Sequence, residues 1–202
     1  MKRVGVLALQ GAVSEHMDML AAVGAAALAV RRPGDLDTLD ALVIPGGEST
    51  AISRLMRRCG LHELIRDFAR DKAVLGTCAG LILCAAEVAG SGGTRPGREG
   101  GGQDGADKVV PLRIMPMRAQ RNGFGRQTES FETLLDVRDI GKDIPAVFIR
   151  APYVEEAGDG VLSMAEVDGK IVMARRGKTL VTAFHPELAG DLRVMEYFCR
   201  MA

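Results

Sequence analysis

The sequence predicts an α/β protein: a mostly parallel sheet with helices on both faces, a three-layer α/β/α sandwich carrying extra antiparallel strands in its second half. Three observations lead there. Short apolar runs at residues 4–9, 26–30, 42–44 and 73–75 lack the polar alternation of a sheet with one wet face. Strands covered on both faces read in this way. Helical patterns lie between or after these runs, as crossover connections require. From residue 109 onward, strand-like segments follow one another closely, which suits antiparallel hairpins.

The elements follow in order. Residues 4–9 come directly after Met1-Lys2-Arg3. That run is too short for a secretory core and has no cleavage site, so it reads as the first strand. Helices are expected over 14–23, 49–58, 61–70 and 79–88, with Ser14, Ser49 and Thr50 as N-cap candidates. Between residues 90 and 107, eight of eighteen residues are Gly, mixed with Arg, Glu and Asp. Such a segment cannot bury a core and reads as a flexible loop. Strands are expected at 109–118, 130–137, 146–150, 161–167, 171–175 and 179–184, with Asp168-Gly169 as a hairpin turn. Pro116 makes the first of these an edge strand or a broken one. A closing amphipathic helix spans 191–201, capped by Asp191, and the whole chain, 1–202, reads as one domain.

Composition narrows the function. Hydrophobic residues are 47% of 202, but aromatics are 4% and Trp is absent, so Ala, Val, Leu, Ile and Met must fill the core. Lys+Arg and Asp+Glu are 26 each, which removes the electrostatic case for nucleic-acid or anionic-membrane partners. The longest apolar stretch, 20–30, contains Gly24 and falls short of a membrane span. Four cysteines form no Cys-x-x-Cys pair and there are three histidines, so no zinc site and no cofactor motif is legible. A cytoplasmic protein with reduced thiols is expected.

The sharpest chemical signal is Gly76-Thr77-Cys78-Ala79-Gly80, between a strand and a helix. It has the form of a nucleophile elbow with Cys78 as nucleophile, the flanking glycines removing side chains that would clash in so sharp a turn. Cys78 then sits at a helix N-terminus, where the dipole favours negative sulfur, and the Ala79 amide points at a developing oxyanion. Cys59, Cys84 and Cys199 read as small core residues. His185, in Phe184-His185-Pro186-Glu187 after the last strand, is the candidate base, and Glu187 the group that orients it. Pro45-Gly46-Gly47-Glu48-Ser49-Thr50 follows the third strand; it is no Walker loop, and its Gly47 amide is the second oxyanion candidate. His16 and His62 stand among polar neighbours on expected helices and read as surface residues.

These residues resemble the class I glutamine amidotransferases, which share the Gly-x-Cys-x-Gly elbow and a His-x-Glu ending. One branch fits further. Leu9-Gln10-Gly11, Glu15-His16, the Gly-Glu-Ser-Thr turn, Arg121-Asn122-Gly123-Phe124-Gly125-Arg126-Gln127, Ser130-Phe131-Glu132, Phe148-Ile149-Arg150-Ala151-Pro152 and His185-Pro186-Glu187 occur in order, as in glutaminase subunits of pyridoxal 5'-phosphate synthase. The resemblance implies a flavodoxin-like fold and hydrolysis of L-glutamine by Cys78, His185 and Glu187. It implies a substrate pocket of Gly47, Glu48, Ser49, Arg121, Ile149 and Arg150. The implied partner is a synthase subunit, in a large hetero-oligomer, that receives the ammonia. The loop at 90–107 is longer than the family's usual connection. Two rivals remain open from sequence: a glutaminase serving another synthase, and a stress-response or redox-sensing protein of the same fold.

Overall fold

The computed structural model describes residues 1–89, 108–124 and 130–202; the glycine-rich segment 90–107 and part of the 121–127 motif lie outside the described residues. The first half contains β1 (Arg3–Leu7), α1 (Val13–Ala22), β2 (Ala26–Val30), β3 (Ala41–Ile44) and α2 (Ser49–Arg58). It continues with α3 (His62–Phe68), β4 (Ala73–Thr77) and a six-residue α4 (Ala79–Cys84). Then come β5 (Ala85–Ala89), β6 (Met115–Gln120), β7 (Ser130–Val137), β8 (Gly141–Ile149) and β9 (Tyr153–Ala157). β10 (Leu162–Val167), β11 (Lys170–Arg176), β12 (Thr179–Thr182) and α5 (Arg193–Met201) close the chain.

The parallel heart of the sheet runs β2-β1-β3-β4-β12, and every residue of β3, β4 and β12 is buried. Continuous apolar runs therefore sit where helices cover both faces. α1 packs on β1 and β2, α4 on β4 and β12 with α2 against it, and α5 on β4. Beyond β12 the sheet turns antiparallel through β11, β9 and β6, with β10 beside β11 and β5 on the far edge. β7 and β8 form a separate antiparallel hairpin. Phe131 and Phe148 of that hairpin stack at 4.5 Å, and Phe148 meets Phe184 at 5.7 Å, which fixes the hairpin beside the end of β12. The carboxyl ends of β1, β3, β4 and β12 share one edge, because these strands are parallel. Sites of α/β proteins form at such an edge.

Several local expectations are corrected. The helix expected over 79–88 stops at Cys84, and Ala85 is extended at φ −61°, ψ 155°. The Leu83 and Cys84 carbonyls accept from the amides of Leu112 and Ile114, and Ala85–Ala89 pairs with β6. Tertiary pairing overrides the helical propensity of Ala there. Pro116 lies in β6, between β9 and β5, so the strand is not an edge; it is broken by a register shift opposite Ala85 and Glu87, where a bulge tolerates the missing donor. The cap of α2 is Glu48 rather than Ser49 or Thr50, and α1 begins at Val13 after Ala12 with no side-chain cap. α5 begins after Leu192, although Asp191 still accepts from the Arg193 amide at 2.9 Å. β9 had no counterpart among the expected strands.

Candidate active site

β4 ends at Thr77 and α4 starts at Ala79, so Cys78 makes the turn alone, at φ 49° and ψ −101°. A non-glycine residue in such a conformation costs about 1–3 kcal/mol and persists only where its surroundings enforce it. Here the Cys78 amide donates to Thr182 O at 2.8 Å, tying the turn to β12. The flanking glycines are demanded by close approach. A Cβ on Gly80 would lie 2.1 Å from Ile44 O, and one on Gly76 would lie 2.6 Å from Gly80 O. Because α4 has six residues, its dipole at Cys78 is smaller than a ten-residue helix would supply. Ala79 is its first residue, so the Ala79 amide has no acceptor within the helix.

His185 leaves β12 with its amide donating to Val147 O at 2.8 Å. Its Nδ1 is 2.7 Å from Glu187 Oε1, which leaves Nε2 for the sulfur. The Glu187 side chain is fully buried behind the ring. Burial opposes a charge on His185, but hydrogen bonds to Cys78 and Glu187 and their charges outweigh it, and its pKa is pushed up to about 10. Gly46 lets the ring in: a Cβ there would lie 2.5 Å from His185 Cε1 and 3.4 Å from Cys78 Cβ. The neighbouring amides of Gly46 and Glu48 are bound, to Thr77 Oγ1 at 3.0 Å and Gln10 Oε1 at 2.8 Å. The Gly47 amide between them has no partner among the described residues.

These groups open on a cleft of about 450 Å³. Gly47, Glu48, Ser49, Cys78, Ala79, Arg121, Ile149, Arg150 and His185 all line it, so every expected site residue but the buried Glu187 reaches the same space. The Ile149 carbonyl stands 4.0 Å from Cys78 Sγ. Glu48 has a second task, since its carboxylate accepts from the Thr50 amide at 2.9 Å and the Ala51 amide at 2.6 Å. Burial works against its charge, but these cap bonds and Arg121, 3.7 Å away, hold the carboxyl below its usual range. A larger groove of about 570 Å³ beside Pro33, Leu64 and Lys72 contains neither cysteine nor histidine, so it has no claim on the chemistry. No group of three or more His, Cys, Asp or Glu suited to a metal occurs among the described residues.

A profile of the SNO glutamine amidotransferase family matches residues 6–202. The chain belongs to that family. It is 49% identical to the pyridoxal 5'-phosphate synthase subunit PdxT of Brevibacillus brevis, over 98% of this chain and 96% of the other. To the subunit of the same name from Niallia circulans it is 48% identical, over 98% and 97%. A crystal structure of a glutamine amidotransferase superposes with a TM-score of 0.87 at 39% identity, covering 98% of this chain and 97% of that one. PurLQS from Thermotoga maritima shares the fold, with a TM-score of 0.66 at 14% identity over 99% of each chain.

Within this family member the main omission of the sequence reading is His16. It was expected at the surface and is 0% exposed, with Nε2 3.4 Å from Glu187 Oε2 and 3.2 Å from Thr77 Oγ1. Val13, His16, Met17 and Leu20 share one helical face, a spacing that placed His16 inward. His62 is corrected likewise: it is 8% exposed, one residue after buried Leu61 and three before buried Ile65. Gln10, Ile82, Asn122 and Pro152 also line the cleft; Gln10 and Asn122 stood in quoted motifs, whereas nothing in the local sequence marked Ile82.

Proposed function

We infer that the chain hydrolyses L-glutamine to L-glutamate and ammonia, and delivers the ammonia to the synthase subunit of a pyridoxal 5'-phosphate synthase. The observation that carries this is the strained Cys78 turn, faced by a His185 already bonded to Glu187, at the floor of an open cleft. Family membership and the names of the PdxT relatives support this choice of substrate and partner.

With its thiol proton passed to His185 Nε2, Cys78 Sγ attacks the side-chain amide carbon of glutamine. The Gly47 and Ala79 amides, both without acceptors among the described residues, receive the oxyanion. His185 Nε2 gives its proton to the departing ammonia, leaving a γ-glutamyl thioester on Cys78. His185 then takes a proton from water, whose attack releases glutamate. Arg121 and Arg150 on the cleft wall suit the substrate carboxylate. Glu48, whose side chain is 53% exposed despite its cap bonds, suits the ammonium. Ammonia released to bulk water would be protonated and lose its nucleophilicity, so a closed path to a synthase within a hetero-oligomer is the working arrangement. The reaction uses no cofactor. Four unpaired thiols fit the reducing cytoplasm, and among the described residues no helix is long and apolar enough to cross a membrane.

Glutamate release from glutamine, measured with and without the synthase subunit, tests this. Release that rises on adding the synthase is expected. No release in either case would refute the reading, and would favour the non-glutaminase members of the same fold.

A further inference from the structure

The peptide between Gly46 and Gly47 carries one of the two oxyanion amides, and its orientation decides where that N–H points. Its carbonyl accepts from the Ala12 amide at 3.1 Å. A Cβ on Gly11 would collide with the same oxygen, so the carbonyl lies close against the turn before α1. In a trans peptide the N–H points away from the carbonyl. A Gly46 oxygen held at Ala12 therefore turns the Gly47 amide to the other side, where it has no partner among the described residues. The other end of Gly46 is held by Thr77, whose Oγ1 accepts from the Gly46 amide at 3.0 Å. Thr77 is fully buried and does not line the cleft. The rest of β4 is Ala73-Val74-Leu75-Gly76, so packing alone would accept Val at position 77.

The Thr77 hydroxyl has its own acceptor. His16 Nδ1 lies 2.6 Å from the Ala12 carbonyl, which only accepts, so Nδ1 carries a hydrogen. The ring is 0% exposed and hydrogen-bonded to no carboxylate, so it holds that hydrogen alone and Nε2 is bare. Thr77 Oγ1, 3.2 Å from Nε2, donates to it, which leaves the oxygen's lone pairs for the Gly46 amide. Gly46, Thr77, His16 and Ala12 thus close a circuit of hydrogen bonds that grips the Gly46 amide at one end and the Gly46 carbonyl at the other. We propose that Thr77 is a positioning residue for glutamine hydrolysis: with its hydroxyl donated to His16 Nε2, it fixes the Gly46–Gly47 peptide so that the Gly47 N–H is set for the oxyanion before substrate arrives. The proposal rests on the glutaminase reading for its kinetic consequence. Its geometry stands apart from that reading.

Two variants in the complex with the synthase subunit separate positioning from mere packing. Thr77→Val keeps the shape and loses the hydroxyl, whereas Thr77→Ser keeps the hydroxyl. The expected result is that Thr77→Val lowers kcat about tenfold or more with KM for glutamine within about twofold, and that Thr77→Ser stays within about threefold of wild type. Alkylation of Cys78 by iodoacetamide, followed by mass spectrometry, displaces iodide and builds no oxyanion. Its rate in Thr77→Val should therefore stay within about twofold of wild type, although turnover falls. The ¹⁵N resonances of the histidine-labelled wild-type chain should show His16 with a hydrogen on Nδ1 and none on Nε2. Wild-type kcat in Thr77→Val, or equal impairment in both variants, would overturn the proposal. Alkylation slowed in step with kcat would do the same, by tracing the loss to the sulfur. So would a hydrogen on Nε2 of His16 in wild type, a result that needs no variant to fold. A wild-type complex that releases no glutamate would instead defeat the functional reading, with the ¹⁵N spectrum still deciding how His16 meets Thr77.

Discussion

His185 binds its proton more tightly in the folded protein than in the unfolded chain, because Cys78 and Glu187 press on it from two sides. A raised histidine pKa stabilises the folded state fully below the ordinary value of 6.5, and that contribution is lost as pH rises toward about 10. Urea midpoints measured from pH 6 to pH 10 should therefore fall through that window in wild type, and less in His185→Asn. Equal slopes would mean that the imidazole feels neither neighbour. The kinetic ordering within the site follows from the same contacts. His185→Asn removes the base, whereas Glu187→Gln leaves the base and weakens only its orientation, so turnover should drop further in the first. Equal and negligible losses would remove both residues from the mechanism. Arg150, on the cleft wall at a positive φ of 43°, should act in binding. Arg150→Ala is expected to raise KM for glutamine several-fold more than it lowers kcat, and an unchanged KM would place it outside the pocket. At this scale the sequence exposed Cys78, His185 and Glu187, since an elbow and a His-Pro-Glu ending are local patterns. It concealed the burial of His16, whose ring lies between Thr77 and the Glu187 carboxylate from the far end of the chain.

Between elements, the turns that carry the site depend on backbone contact rather than on side chains. α4 approaches β3 so closely that Gly80 has no room for a methyl group: the obstacle is the Ile44 carbonyl, which cannot rotate away. Gly80→Ala should destabilise the fold by about 1–3 kcal/mol and displace the elbow, read as a lower urea midpoint together with lost hydrolysis. A midpoint equal to wild type would show that α4 can move off β3 at little cost. The fully buried strands were legible because β3, β4 and β12 need apolar residues on both faces. The end of α4 was not, because 79–88 is rich in Ala and Leu and fits a helix as well as a strand. Only the pairing of Ala85–Ala89 with β6, far along the chain, decides between them. Pro116 was readable as a disturbance but not as a bulge inside the sheet, for the same reason.

For the whole molecule, parallel strands of one sheet bring residues from opposite ends of the chain to a single edge. Gln10 follows β1, Gly46 and Gly47 follow β3, Cys78 follows β4, and His185 follows β12. The fold thus positions the cleft, and the motifs supply its chemistry. The segment 90–107 contains none of these residues, so a variant lacking it should keep glutamine hydrolysis within about threefold of wild type when the synthase subunit is present. Loss of partner stimulation in that variant would place the docking surface there. Everything in the account returns to one sulfur atom. The most direct measurement is glutamate release by the complex of the chain with its synthase subunit, wild type against Cys78→Ala, with circular dichroism to confirm an unchanged fold. The account expects Cys78→Ala to lose about 10³-fold or more in rate. A variant within about tenfold of wild type, a difference of only ~1.4 kcal/mol in barrier, would contradict it.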